Sequence, residues 1–370
     1  TAAGTATVTA TATATATASS EPPASGWWDD RWRARVRIEV DAGGFERTGA
    51  VAEARVDFTQ KLQEAGLSGT FDESNLRLVE TDVNDVVLDE AVPFQFDKEE
   101  GYEASSYAAG QLVILAEGQT ALGQTRTFYA YFDTVDNAAG KTPASVATRV
   151  QYEEIADYEG QATYKFTTEA ATYYYHIDGG AFASLIDGDG YDWISFHPTG
   201  GSDGSYRGIP NVATTGDDGR RLGLFHPGYT TVNSAVVHQG PIKVTVRSLT
   251  AADTWQEIWE IYPRYARMTL ADKPDQKGYW FLYEGTPGGG IDGNDYYVLA
   301  DGVRRDVYTE IDGDLPGEEW IYFGDDARER VLYMVNHQED SALDCHYVMQ
   351  DNMTVFGFGR DRNDPGSQYL

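Results

Sequence analysis

Cysteine is nearly missing from this chain: among 370 residues there is one, Cys345. An internal disulfide is therefore excluded, and a core of ordinary size must replace the staples that hold small exported domains together. Positive charge is scarce as well, with 28 Lys and Arg against 59 Asp and Glu and a net charge of −31. Such a field repels phosphate backbones and anionic head groups and gathers cations. Nucleic acid is thereby a poor partner; a calcium-rich or salt-rich exterior fits, and so does a surface charged for solubility. Long apolar runs are lacking too. None approaches the ~20 residues of a membrane helix, which argues against membrane insertion. No Met opens the chain, since Thr1 stands first. That pattern is expected of a secreted, extracellular or cell-surface product whose signal peptide has been removed, and a chain cut there for another reason would begin the same way.

What is present begins with a repeat. Residues 5–18 read TATVTATATATATA, and no charged residue precedes Glu21. Thr5, Thr7, Thr9, Thr11, Thr13, Thr15 and Thr17 alternate with Ala or, at one place, Val8. A period of two is the strand period, so Thr lines one face and Ala the other. Alanine offers little apolar area, so this strand cannot hold itself down by burial and needs a groove supplied by something else. The expectation is a strand that does not belong to its own core. An O-glycosylated Thr-rich spacer has the same composition. SSEPPASG (19–26) follows as a linker, because two prolines stop both helix and central strand.

The rest divides into two all-β parts. A β-sandwich domain is expected over 27–134, from the alternating runs at 33–40, 50–58, 75–82, 111–118 and 126–133 separated by Gly, Asn and Asp turns. One helix is expected at 59–66, closed by Gly66. A polar linker, 135–148, leads to a larger β-sandwich domain at 149–370. Its strand-like runs, rich in aromatics, fall at 161–168, 171–178, 235–249, 255–263, 266–272, 279–285, 318–324, 330–336 and 353–359. No fixed period recurs, which counts against a propeller.

WWDDRWRARVRIEV, VDFTQKLQEAG, NLRLVETD and RTFYAYFD, with a W-x-x-R-W-x-x-R opening, resemble a β-sandwich domain of unknown function that begins many secreted prokaryotic surface proteins. That resemblance implies a surface context and no chemistry. The strand number and aromatic character of the second part resemble the galactose-mutarotase-like supersandwich of carbohydrate-active enzymes.

All six histidines lie in the second part. If it is an enzyme, polysaccharide cleavage is the reaction to expect, because aromatic platforms stack on sugars while carboxylates and imidazoles move protons. A lyase would use His226 or Tyr206 as base and Arg207 to neutralise a uronate carboxylate. A hydrolase would use a carboxylate pair, Glu284 with Asp192. Neither set has a spacing signature, and each of these residues also has an ordinary structural reading in a turn or at a strand end. Asp187, Asp189 and Asp192, spaced D-x-D-x-x-D among glycines, offer oxygen ligands at turn spacing and suit calcium; IDGND (291–295) and IDGD (311–314) are weaker versions. His337 and His346, with acids between them, could hold zinc or iron, although no named spacing is matched.

Two functions are weighed on this basis. One is a structural subunit of an extracellular filament, sheath or surface layer, self-associating as the Thr/Ala strand leaves its own subunit and completes a sheet in the next; it asks for no catalytic signature, and none is found. The other is a secreted carbohydrate-active or carbohydrate-binding protein, with polysaccharide as partner and the second domain as its working part.

Overall fold

The structure, a computed structural model, describes residues 10–15, 27–199, 207–216, 221–252, 254–360 and 367–369. Strands make up 52% of it and helix 5%. The fold is all-β, with two β-sandwich domains of which the second is larger. Two compact units result: Thr1–Thr148 with Gly240–Lys243, and Arg149–Gln239 with Val244–Leu370.

Eight strands build the first unit: β1 (Ala10–Thr15), β2 (Ala34–Asp41), β3 (Arg47–Asp57), β4 (Arg77–Thr81), β5 (Val87–Asp89), β6 (Phe94–Lys98), β7 (Ala109–Thr120) and β8 (Thr125–Phe132). Their order is β5-β4-β8-β2-β1-β3-β7-β6. Along β2 every second residue is buried, so Ala34, Val36, Ile38 and Val40 face inward, as period-two alternation requires. They share one core with Ala52, Ala54 and Val56 of β3, Leu112 and Ile114 of β7, and Phe128 and Phe132 of β8. Each large side chain so buried contributes about 1.5–3 kcal/mol relative to its exposed state. The short helix Phe58–Glu64 starts where the Asp57 carboxylate accepts the Gln60 N–H and stops before Gly66, whose φ of 69° suits glycine.

The opening W-x-x-R-W-x-x-R segment is fastened rather than exposed. Trp27, Trp28 and Trp32 pack with Val79, Tyr129 and Tyr131, and the Arg35 guanidinium lies 3.8 Å from the Tyr129 ring centre. Trp32 Nε1 donates to the Asn75 carbonyl at 2.6 Å. Beside it, buried Asp133 accepts from Arg33 at 2.5 Å and Lys141 at 2.7 Å. The hydrogen bonds from Arg33, Lys141 and Asn137 outweigh burial and hold its carboxyl down at about 2.

The sequence leaves the Thr/Ala strand outside its own core; in the single chain it pairs inside the sheet of the first unit instead. Ala10–Thr15 form β1 between β2 and β3 of the same chain. Ala12, Thr13, Ala14 and Thr15 pair antiparallel with Val40, Glu39, Ile38 and Arg37. Ala10 and Thr11 pair parallel with Ala52 and Glu53. The physical reason is a gap that only a strand fills, because β2 and β3 do not pair with each other and each would otherwise present an open edge. Thr5, Thr7, Val8, Thr9 and Thr17 lie outside the described residues.

In the second unit a ten-stranded and a nine-stranded sheet face each other across one aromatic core. Phe182 meets Trp259 at 4.6 Å between ring centres and Tyr283 meets Phe323 at 5.4 Å, one ring of each pair coming from each sheet. The run expected at 235–249 is two strands, Val232–Gln239 and Val244–Thr250, paired as an antiparallel hairpin.

Candidate functional site

Two places in the molecule carry unusual local structure: the seam at β1 and the buried polar groups of the second unit. At the seam, residues 16–36 lie between Thr15 and its cross-strand partner Arg37. That is about twenty residues where an antiparallel hairpin needs two to five. Without β1 the sheet order breaks into β5-β4-β8-β2 and β3-β7-β6, which leaves two facing edges.

In the second unit two of the nominated residues meet: Glu284 stands on strand Tyr279–Gly285, antiparallel to Gly208–Thr215, and His226 follows the short strand Arg221–Gly223. His226 Nε2 lies 3.1 Å from Glu284 Oε2, and Asn211 donates to the same oxygen at 3.3 Å. The other imidazole nitrogen lies 2.6 Å from the Pro227 carbonyl. Both ring nitrogens thus face protein oxygens. His226 is 5% exposed and Glu284 8%. A general base must come within hydrogen-bond reach of a substrate proton, and here both nitrogens are turned to the protein.

Arg207 spends its guanidinium on backbone, donating to the Ser195 carbonyl at 2.8 Å and the Asn352 carbonyl at 3.0 Å; burial pushes its pKa down. Tyr206 lies outside the described residues. The expected Glu284–Asp192 pair is not a hydrogen-bonded one: Glu284 turns to His226, while Asp192 accepts from Ser184 Oγ, Leu185 N and Ile194 N. His176 is a core histidine. Its Nε2 faces the Tyr158 carbonyl at 2.9 Å, its Nδ1 accepts from Gly228 N, and burial lowers its pKa to about 4.

The nominated metal residues are arranged differently from expectation. Asp187 accepts from Asp189 N, Tyr191 N and Trp193 Nε1, and Asp189 pairs with Arg330 at 2.8 Å. The aspartates of this turn shape it by hydrogen bonding to its own amides, as Asx turns do. His346 is buried against Tyr297 and Phe323; its nitrogens face the Val307 carbonyl at 2.7 Å and Thr354 Oγ1 at 3.2 Å, and burial lowers its pKa to about 4. His337 is exposed. Among the described residues, the acidic groups whose oxygens all lie within 4.8 Å of one another are Asp292, Asp295 and Asp325, and Asp314, Glu319 and Asp344. Each draws on a weaker sequence candidate, IDGND or IDGD; the first adds Asp325, and the second adds Glu319 and the strand residue Asp344.

Sequence reasoning passed over Glu257. It is fully buried on strand Gln256–Ile261 and accepts from Tyr175 Oη at 2.8 Å. Tyr175 and Ser234 each lie within hydrogen-bond distance of Ser248 Oγ. Burial raises the Glu257 pKa well above the usual carboxylate range. A cleft of about 600 Å³ also opens in this unit, lined by Thr214, Gln276, Lys277, Trp280, Asp340 and Arg360 among others; among the described residues, His226, Arg207 and Glu284 do not line it.

No family model matches the chain, and no curated protein matches it. Among solved structures, the crystal structure of HI1317 aligns with a TM-score of 0.43 and 9% identity over 60% of this chain and 98% of HI1317.

Proposed function

We propose that this chain is an extracellular structural subunit that polymerises into a filament, sheath or surface layer by donor-strand exchange. In the polymer, the Thr/Ala strand of one subunit takes the place of β1 between β2 and β3 of the next. The observation that carries this reading is the length of the connection. Thr15 and Arg37 are direct cross-strand partners, yet the chain between them far exceeds what closing the strand onto its own domain needs. Residues 16–26, which precede the anchored Trp27, would reach on the order of 40 Å if fully extended, enough to span to an adjacent neighbour. A groove flanked on both sides by open strand edges gives main-chain affinity to any strand that enters it. Exchange in one direction is a head-to-tail contact, which builds an open polymer when the rotation does not close.

Deleting residues 1–20 tests the reading. Full-length protein is expected to give elongated particles by negative-stain microscopy and light scattering. The truncated protein is expected to give none, to melt at lower temperature, and to regain that temperature with a synthetic peptide of residues 5–18. A full-length monomer at all concentrations, with a truncated form indifferent to the peptide, would contradict it.

The second reading, a carbohydrate-binding protein, is favoured by the cleft beside Trp280, where an aromatic ring neighbours Lys277, Asp340 and Arg360. A panel of neutral and uronate polysaccharides, assayed for binding and for new reducing ends, tests it. No binding by wild type, or binding unchanged by Trp280→Ala, sets this reading aside.

A further inference from the structure

Asp295 and Asp325 are direct cross-strand partners on the antiparallel strands Asp295–Leu299 and Trp320–Asp325. Both are buried, at 2% and 5% exposure. Like charges directly opposite each other on a sheet are destabilising, and a buried charge requires a partner. Asp325 has some: Ala327 N donates to it at 2.7 Å, and Arg328 Nε stands 3.6 Å away. Arg328 is mostly engaged elsewhere, donating to the Gly288 carbonyl and lying 3.8 Å from the Tyr191 ring centre. Asp295 has less. Its Oδ2 accepts the Asp292 N–H at 2.7 Å, and its Oδ1 is buried with no hydrogen-bond partner.

Asp292 brings a third carboxylate, so that one oxygen from each of the three lies within 4.8 Å of the others. Oxygens around a calcium ion at about 2.4 Å are at most twice that far apart. Gly288, at φ 63°, closes the turn against Asp325; a Cβ there would come within 2.4 Å of the Asp325 carboxylate. When ionised, three carboxylates against one guanidinium leave two negative charges, which one divalent cation neutralises. The donors are hard oxygens with no histidine or thiol among them, and an all-carboxylate cage on the protein suits calcium better than magnesium, which keeps most of its waters.

We infer that Asp292, Asp295 and Asp325 form a calcium site at the end of this strand pair, with the orphaned Asp295 Oδ1 as one ligand. The second acidic group differs. The buried members Glu319 and Asp344 accept from Asn336 and Asp340 N, and from Leu315 N and Gly359 N, and Arg360 stands beside Glu319 as a protein counter-ion.

The test is calorimetric titration of chelator-treated full-length chain with calcium chloride in ~1 M potassium chloride, where screening over about 3 Å removes diffuse binding to the acidic surface. One ion per chain is expected, with a dissociation constant between about 10⁻⁶ and 10⁻³ M and at least tenfold weaker binding of magnesium. Asp292→Asn, at an exposed ligand that leaves the fold intact, is expected to weaken calcium about tenfold, and Asp325→Asn at least as much. Asp189→Asn and Asp314→Asn are expected to leave it unchanged. Terbium luminescence sensitised by nearby tyrosine gives a readout independent of folding stability and is expected to fall in the same two variants. No heat at millimolar calcium, or binding lost in Asp189→Asn or Asp314→Asn and kept in Asp292→Asn, overturns the inference.

Discussion

Glu257 stands where the alternation of its strand demands an apolar side chain. Trp255, Glu257, Trp259 and Ile261 share one buried face, so the period that identifies the strand also places this acid in the core; the signal was legible and lay in the pattern rather than in any motif. The sign of its effect follows from the raised pKa. Below about 4.5, the ordinary value, the carboxyl is protonated whether the chain is folded or not. As pH rises above that, the unfolded chain ionises while the buried carboxyl keeps its proton. Stability then falls by about 1.4 kcal/mol per pH unit from this group until its folded pKa is passed. Glu257→Gln keeps the shape and the acceptor for Tyr175, so its melting temperature is expected to gain on wild type as pH rises above 5. A difference independent of pH contradicts the assignment. His176 and His346 act oppositely. Their folded pKa values near 4 make stability full above about 6.5 and lost as pH falls toward 4, so the variant comparison, not the wild-type curve, isolates Glu257. Asp187, Asp189 and Asp192 show the limit of motif reading at this scale. Their spacing is that of a cation loop, and it is equally that of a self-bonded turn, whose amides donate to Asp187 and Asp192 while Asp189 pairs with Arg330.

At the scale of elements, alternation located β2, which buries every second residue, whereas β7 and β8 are buried on both faces over much of their length and were legible as apolar and aromatic runs between turns. Val87–Asp89 and Phe94–Lys98 escaped notice. The first is three residues long, and the second shows just two apolar residues between proline and charge. The Thr/Ala strand is the reverse case. Its period announced a strand, but pairing partners are long-range, and nothing local says which chain supplies them. The register now places Ala12 and Ala14 opposite Val40 and Ile38, two buried residues of β2. A proline in a strand flanked on both sides removes a ladder hydrogen bond and clashes with the pleat. Thr13→Pro is therefore expected to drop amide exchange protection at least tenfold at residues 37–40 and 52–53, while β7 and β8 keep theirs. Unchanged protection at those residues would show that β1 is not what covers the two edges.

For the whole molecule, a net charge of −31 per subunit bears on assembly. Subunits of one sign repel, and the repulsion is screened within about 10 Å at 0.1 M salt and about 3 Å at 1 M. Polymer length by light scattering is expected to rise across that range, and shortening with salt would mean that opposite charges, not strands, hold subunits together. The all-β class and the two-part division rest on patterns spread over many strands, which is why they were legible from sequence. The acidic groups were legible in part, since each joins aspartates of a recognisable Asp/Gly turn to a strand residue further along the chain, Asp325 in one and Asp344 in the other. The central claim is that β1 exchanges between chains, and engineered disulfides test it most directly. Thr13 and Glu39 are cross-strand Cα partners, within the reach of a disulfide. Thr13→Cys and Glu39→Cys are placed on separate chains, each carrying Cys345→Ser, and the two are mixed under assembly conditions and oxidised. The account predicts a covalent dimer joining one chain of each kind, and a ladder of covalent oligomers when both cysteines sit on one chain. Cross-linking confined to the doubly substituted monomer, with none between mixed chains, would contradict it.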